Sequence, residues 1–238
     1  MYKHYIVFKA ALLDIRNEWS WYLLLMIVSP LSVLLFLRFI IGNAIDFDSY
    51  VVGTIVMTFG TGVFLSLGQI FALYKVTSAL DYYLSFPLSK IEIILSLVLR
   101  NIILSIPSVL VILGLGTLFY DIKMFIGLPF LVAILLISLS LAGIGVMIGV
   151  SSKNMQVASI LTQILTPIFT YLAPIFISQS ALPGPLIYIS YILPTTYAAN
   201  ALRSAMGSNT YSIDFLVLAT LSFISLAIVS WKLDWRNE

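Results

Sequence analysis

The closest approach to a chemical pair in this sequence is Asp46 and Asp48, two residues apart, with Asp121 further along and His4 as the single histidine. Such groups would suit a metal site or the acidic cluster of a membrane transferase. Neither pattern is completed, because no histidine or matching acidic cluster accompanies the aspartates and the chain contains no cysteine. A solvated acidic loop accounts for Asp46 and Asp48, and His4 suits an interfacial position better than the role of a base. The lack of cysteine excludes disulfides, thiolate catalysis and thiolate metal ligands. No GxxxxGK[ST] phosphate loop is present either, so any nucleotide hydrolysis that drives this chain belongs to another polypeptide. We expect a chain that is not an enzyme and that binds no cofactor or metal of its own.

Residues suited to binding or conduction are few. The polar groups inside the apolar runs are Gln69, Arg100, Gln156, Thr162, Gln163 and Thr166. Gln163 and Thr166 are three apart and Gln156 and Gln163 seven apart, which puts a polar stripe on the start of one helix. A stripe of this kind lines a pathway or binds another helix. Phe64, Phe71 and Tyr74 form a modest aromatic row that packing explains equally well. The candidate pathway or helix-interface residues are therefore Phe64, Gln69, Phe71, Gln156, Gln163 and Thr166. Arg100, near the start of its run, is placed to snorkel to the headgroups. No aspartate, glutamate or histidine lies near the middle of a run, which disfavours ion or proton coupling through intramembrane carboxylates.

The elements that carry these residues are set by a lipid solvent. A bilayer core about 30 Å thick needs roughly 20 apolar helical residues, and a soluble domain carries about 25% charged residues. This chain is 61% hydrophobic and 9% charged. Six runs are long enough to span: Trp21–Ile41, Val51–Tyr74, Ile93–Phe119, Phe125–Val150, Val157–Ile177 and Ile213–Trp231. They are apolar on every face rather than alternating, so helices are expected and a β-barrel is not. The first run is long, contains Pro30 and follows a mixed segment, so it is expected to be a retained span rather than a signal peptide. Before it, Tyr5, Phe8, Leu12 and Ile15 recur at helical spacing, as in an interfacial helix over residues 1–19. Trp19 and Trp21 suit an aromatic belt. With a cytoplasmic N-terminus, nine of the lysines and arginines fall on the inner side and only Arg38, Lys123 and Arg203 toward the outer, which places both termini inside. The net charge of +2 is too small and dispersed for nucleic acid.

Two seams between the runs are larger than a connection requires. Lys75–Glu92 carries Leu80, Tyr83, Leu84 and Pro87, a short amphipathic piece stopped by the proline. Ser89 and Glu92 then form a capping box for a new helix. Ser178–Ser212 holds Pro183, Gly184, Pro185 and Pro194 among apolar residues. It is expected to form two short helices, either re-entrant in the outer leaflet or a cap outside it. The expected fold class is thus all-α, a single polytopic domain over residues 1–238 with six transmembrane helices, the interfacial helix 1–19, a cytoplasmic helix within 75–92 and re-entrant or cap helices within 178–212.

This order of elements resembles the ABC-2 type permease family, the integral membrane subunits of ATP-binding-cassette transporters, over nearly the whole chain. Leu80–Lys90, LDYYLSFPLSK, is similar to the family's cytoplasmic coupling helix, with Leu80, Leu84, Pro87, Leu88, Ser89 and Lys90 at corresponding positions. Pro194–Gly207, PTTYAANALRSAMG, resembles the proline-to-arginine stretch before the last span, with Pro194, Arg203 and Gly207 as counterparts. Many members carry an acidic–Arg pair and a glycine just before the coupling leucine, where this chain has Lys75, Val76, Thr77, Ser78 and Ala79.

The resemblance implies that Leu80, Asp81, Tyr82, Tyr83, Leu84, Phe86, Pro87 and Leu88 contact a separate ABC ATPase subunit, which uses ATP and Mg. It further implies that a second permease subunit, as a homodimer, completes the pathway within a prokaryotic plasma membrane. Pro183, Pro185, Pro194 and Arg203 become the outer gate or cap. Apolar spans and short outer loops favour export of a hydrophobic or amphipathic solute, drug-like or lipid. An exporter of lipid-linked polysaccharide, an ion-gradient-driven carrier and a non-transporting membrane anchor stand as alternatives.

Overall fold

A computed structural model describes residues 47–79, 90–120, 125–177 and 182–232, with Gln179 and scattered positions between 24 and 39. All regular structure among them is helical. Helix α1 (Phe47–Phe59) passes through a six-residue π turn (Gly60–Leu65) directly into α2 (Ser66–Val76). Then come α3 (Lys90–Tyr120), α4 (Leu128–Ser151), α5 (Met155–Tyr171), the short α6 (Gly184–Ser190), α7 (Pro194–Ser208) and α8 (Ile213–Lys232).

Four helices among the described residues, not six, are long and apolar enough to cross a membrane: Asp48–Val76, Ile91–Thr117, Leu128–Ser151 and Ile213–Trp231. The expectation of six spans is corrected accordingly. The fifth run, Val157–Ile177, fails because its helix is only 17 residues long and stops at Tyr171. Pro174 forces the residue before it out of helical geometry, and Leu172–Ile177 runs on as bends. The first run, Trp21–Ile41, lies largely outside the described residues, as do the interfacial segment 1–19 and residues 80–89.

The bundle is built around α4. In lipid there is no hydrophobic force between helices, so close packing and satisfied polar groups must hold them. Helix α4 supplies both through glycine notches. A methyl at Gly145 would overlap the carbonyl oxygen of Phe64 and stand 3.2 Å from its carbonyl carbon; one at Gly149 would overlap Gly68 O and meet Phe71 Cβ at 2.9 Å. Backbone therefore meets backbone along the π turn and α2. Gly143 makes the same accommodation for Ser225 of α8, and Ser222 of α8 donates to Leu136 O at 3.1 Å. Hydroxyls elsewhere fold back onto their own helices, Thr54 to Tyr50 O and Thr58 to Thr54 O at 2.7 and 2.8 Å, which satisfies these donors in an apolar medium.

The helix ends have local causes. Gly127 leads into α4 with Pro129 in its first turn, where a missing N–H costs nothing. Asn154 caps α5 by accepting from Val157 N at 2.8 Å. Helix α7 ends on Asn209 with φ 51°, the left-handed closing residue that asparagine tolerates.

Candidate functional site

One candidate region is the contact of α2 with α5. Every fourth residue of α5, Ala158, Thr162, Thr166 and Thr170, is buried, with Thr166 donating to Thr162 O at 2.7 Å and Thr170 to Thr166 O at 2.8 Å. A methyl at Gly68 of α2 would sit 2.5 Å from Thr162 Cγ2, so the two helices touch there. Beside this line Ser159 accepts from Gln69 Nε2 of α2 at 3.3 Å and from Gln163 Nε2 at 2.7 Å. The opposite face of α5 is open. Gln156, Ile160, Gln163, Pro167 and Tyr171 are all exposed, at spacings that put them along one side of a helix.

The candidate pathway residues thus separate. Gln69, Gln163 and Ser159 are brought together, Gln156 lies on the open face, and Thr166 turns into the core. Phe64 and Phe71 are 0% and 1% exposed. Phe64 packs on Phe169 with ring centres 5.1 Å apart, and Phe71 on Tyr74 at 6.4 Å.

A second cluster sits where α2 ends. Lys75 Nζ reaches across to α4 and donates to Val150 O at 3.0 Å and Ser152 O at 3.3 Å. Val150 O lies in the last turn of α4 and Ser152 O just past its end, where the helix has no amides to offer them. A cation there also faces the negative ends of two helix dipoles, α2 and α4. Helix α2 then closes, Thr77 N bonding to Leu73 O at 2.9 Å, with Ser78 at φ 52°. Immediately beyond come residues 80–89. The candidate ATPase contacts Leu80, Asp81, Tyr82, Tyr83, Leu84, Phe86, Pro87 and Leu88 fall outside the described residues.

The third cluster is centred on Arg203 of α7. Its Nη2 donates to Pro174 O, Ile175 O and Ile177 O at 2.9, 2.9 and 2.8 Å, and Nη1 donates to Asn200 Oδ1 at 3.2 Å. Asn200 Nδ2 in turn donates to Asp214 Oδ1 at 3.3 Å, and Ser212 Oγ to Asp214 Oδ2 at 3.0 Å. One guanidinium therefore satisfies the carbonyls left over where α5 breaks and ties them, through Asn200, to the first turn of α8. Burial lowers the Arg203 pKa from its ordinary value, and the fork of carbonyl acceptors suits the cation that remains. The clasped turn also presses on α1, since a methyl at Gly53 would meet Ile175 O at 2.9 Å. Tyr197 donates to Tyr191 O at 2.7 Å. Its hydroxyl pKa is raised by burial, then by Asp214 and Tyr191.

The candidate cap prolines have backbone roles around this clasp. Pro183 precedes α6 and Pro185 lies in its first turn, while Pro194 opens α7. Thr195 binds Phe169 O and Thr196 donates to Ser190 O at 2.7 Å. Sequence reasoning did not single out Ser159, Asn200, Ser212 or Asp214. Asn200 and Arg203 are one helical turn apart and Asp214 opens an apolar run, a pattern that signals a polar clasp once the segment is taken as helical.

Among the described residues no group of three or more histidine, cysteine, aspartate or glutamate side chains could hold a metal ion. Comparison with curated proteins gives no match. A family model, described as ABC-2 type transporter, matches residues 3–206. With several long apolar helices, a clasped segment ahead of the last one and a match over most of its length, the chain is a multi-pass α-helical membrane protein that belongs to the ABC-2 type transporter permease family.

Proposed function

We propose that this chain is the membrane subunit of an ATP-driven exporter, moving a hydrophobic or amphipathic solute, drug-like or lipid, between two copies of itself. A separate ABC ATPase subunit hydrolyses the Mg-bound nucleotide. The observation that carries the reading is the position of Leu80–Lys90. This stretch joins α2 to α3 in the sequence, directly after the corner at which Lys75 fastens α2 to the end of α4. A push on Leu80, Asp81, Tyr82, Tyr83, Leu84, Phe86, Pro87 and Leu88 is delivered to a helix notched along its length into the centre of the bundle. In the plasma membrane of a prokaryote that end faces the cytoplasm, as do both termini, and the Arg203 clasp with Pro183, Pro185 and Pro194 forms the outer cap.

The open stripe of α5 supports a pathway shared with a second copy. Gln156 and Gln163 are exposed there, Gln163 bonded to Ser159 through its amide nitrogen, and amide groups facing hydrocarbon are unfavourable unless fully partnered. Solute or a symmetry-related helix covers them, with Gln69 behind.

The test is reconstitution with the ATPase into liposomes and measurement of solute flux and ATP hydrolysis. Leu84→Asp and Pro87→Ala, introduced singly, are expected to abolish solute-stimulated hydrolysis while the two permease copies still assemble. Flux that continues without any ATPase refutes the reading.

A further inference from the structure

The π turn divides one long helix into two arms that keep different company. Arm α1 rests mainly on α3 and α7, whereas arm α2 rests mainly on α4 and α5. The change of partners falls at Gly60–Leu65. Backbone on both sides is ordinary right-handed helix, Phe59 at φ −73° and Ser66 at φ −61°, so the discontinuity is confined to the wide turn itself. A π turn arises where an extra residue is accommodated in the ladder, and such turns are rare and frequently sit at functional positions.

Its carbonyls have been provided for. Thr61 Oγ1 donates to Met57 O at 3.1 Å and to Thr58 O at 3.2 Å, covering acceptors at the point where the amide ladder changes step. Its two glycines face neighbouring hydroxyls, Gly62 toward Ser105 of α3 at 3.1 Å and Gly60 toward Thr170 of α5 at 4.0 Å, measured from an added Cβ. Both neighbours are weakened nearby. Pro107 lies inside α3 two residues beyond Ser105, and Pro167 lies inside α5 three residues before Thr170. Each proline lacks the N–H of a ladder bond. The π turn and two prolines inside neighbouring continuous helices therefore lie close together in the bundle, and the Phe64–Phe169 ring pair packs between two of these helices.

We infer that Gly60–Leu65 is the joint at which arm α2 turns relative to arm α1 during transport, and that Thr61 is the positioning residue that holds the wide turn. Passing one residue out of the turn rotates the downstream arm by about 100° and moves it about 1.5 Å along its axis. Arm α1 is held by the clasped turn at Gly53, while arm α2 is notched into Gly149 through Gly68 and Phe71, and Phe64 of the turn itself rests on Gly145. The inference rests on the permease reading for its purpose, since the segment proposed to receive the ATPase follows α2 directly.

The chain has no cysteine, so spin labels attach only where they are introduced. Labels at Asp48→Cys with Leu73→Cys span the joint; Leu73→Cys with Met147→Cys report on α2 against α4. All three native residues are exposed. With ATPase and nucleotide, the first distance is expected to change by several ångströms and the second to hold. Without any nucleotide, Thr61→Val, which keeps the side-chain shape and removes the hydroxyl, is expected to shift or broaden the first distance distribution. Gly60→Ala fits the available space and is expected to keep or raise the melting temperature while slowing flux about fivefold, as an energetic change of one kcal/mol at a glycine hinge would. Flux with an unchanged 48–73 distance overturns the joint and leaves the permease reading intact. So does a Thr61→Val distribution identical to the parent's. Failure of any ATPase to engage counts against the permease reading, and the nucleotide-free comparison still decides the joint.

Discussion

Gly145→Ala adds one methyl group at a place with no slack. The new carbon would overlap Phe64 O and lie 3.2 and 3.3 Å from the carbonyl and α carbons of the same residue. These are backbone atoms, so no side-chain rotation relieves the overlap; the π turn and α2 must move away from α4. That displacement also opens the neighbouring contacts of Gly149, which stands against Gly68 O, with Phe71 Cβ at 2.9 Å and Ala72 N at 3.2 Å of an added methyl. Overpacking of this kind costs about 1–3 kcal/mol, partly offset by about 0.5–1 kcal/mol for replacing a helical glycine. With backbone rather than side-chain atoms at the overlap the upper part of that range applies, about 2–3 kcal/mol, and a net loss of about 1–2 kcal/mol remains. Gly114→Ala supplies the control, because an added methyl there has no atom within 4 Å; it is expected to stabilise by about 0.5–1 kcal/mol. Thermal unfolding in detergent, followed by circular dichroism, converts these to shifts of about 2–8 °C downward for Gly145→Ala and no decrease for Gly114→Ala. A Gly145→Ala protein that melts with or above the parent, beside a well-behaved Gly114→Ala, would refute the backbone-to-backbone seam.

Other expectations follow from the polar clusters. Arg203→Met removes donors from three carbonyls and is expected to cost about 3 kcal/mol or more; Arg203→Lys recovers only part of it, lacking the planar fork, as melting temperatures will show. Lys75→Met leaves Val150 O and Ser152 O to solvent, and amide exchange over residues 148–153, read by mass spectrometry, is expected to speed up about fivefold, the equivalent of about 1 kcal/mol at an exposed site. The Tyr197 pKa is raised in the folded protein, so the stability this group contributes is present below pH 10 and is lost as pH rises above it. Tyr197→Phe is therefore expected to lessen the fall of the melting temperature between about pH 9.5 and 11.

Much of the fold was legible in the sequence because lipid imposes a simple rule of length and apolarity. The run Ile213–Trp231 coincides with the apolar span of its helix, and those at Val51–Tyr74 and Ile93–Phe119 are displaced by a few residues from Asp48–Val76 and Ile91–Thr117. The run Val157–Ile177 misled because hydrophobicity continues through Pro174 while the backbone does not. The carbonyls freed by that break find their donor in Arg203, 26 to 29 residues on, a partnership no local pattern announces. The prolines of 178–212 did mark short helices, and the glycines of α4 did mark close contact. Their partners were hidden, since Gly145 and Gly149 serve α2 while Gly143 serves α8. The π turn was invisible for a related reason. Its sequence, GTGVFL, is compatible with plain α-helix, and the surplus residue is absorbed only because two arms settle on different neighbours.

The central position of α4 has a consequence for biogenesis. It has the highest mean hydropathy of the four long helices among the described residues, 2.7 against 1.8 to 2.2, so of these it partitions into lipid most readily before any tertiary contact exists. When insertion precedes association, α4 is already in place as a grooved template. The more polar helix carrying Gln69 and Lys75 then docks into its notches, and α8 follows on the side of Gly143. The ribosome delivers α2 before α4, yet α2 acquires its permanent seat only when the later helix arrives. A nascent chain halted before residue 128 is accordingly one whose first described arm pair lacks its template and is open to membrane quality control.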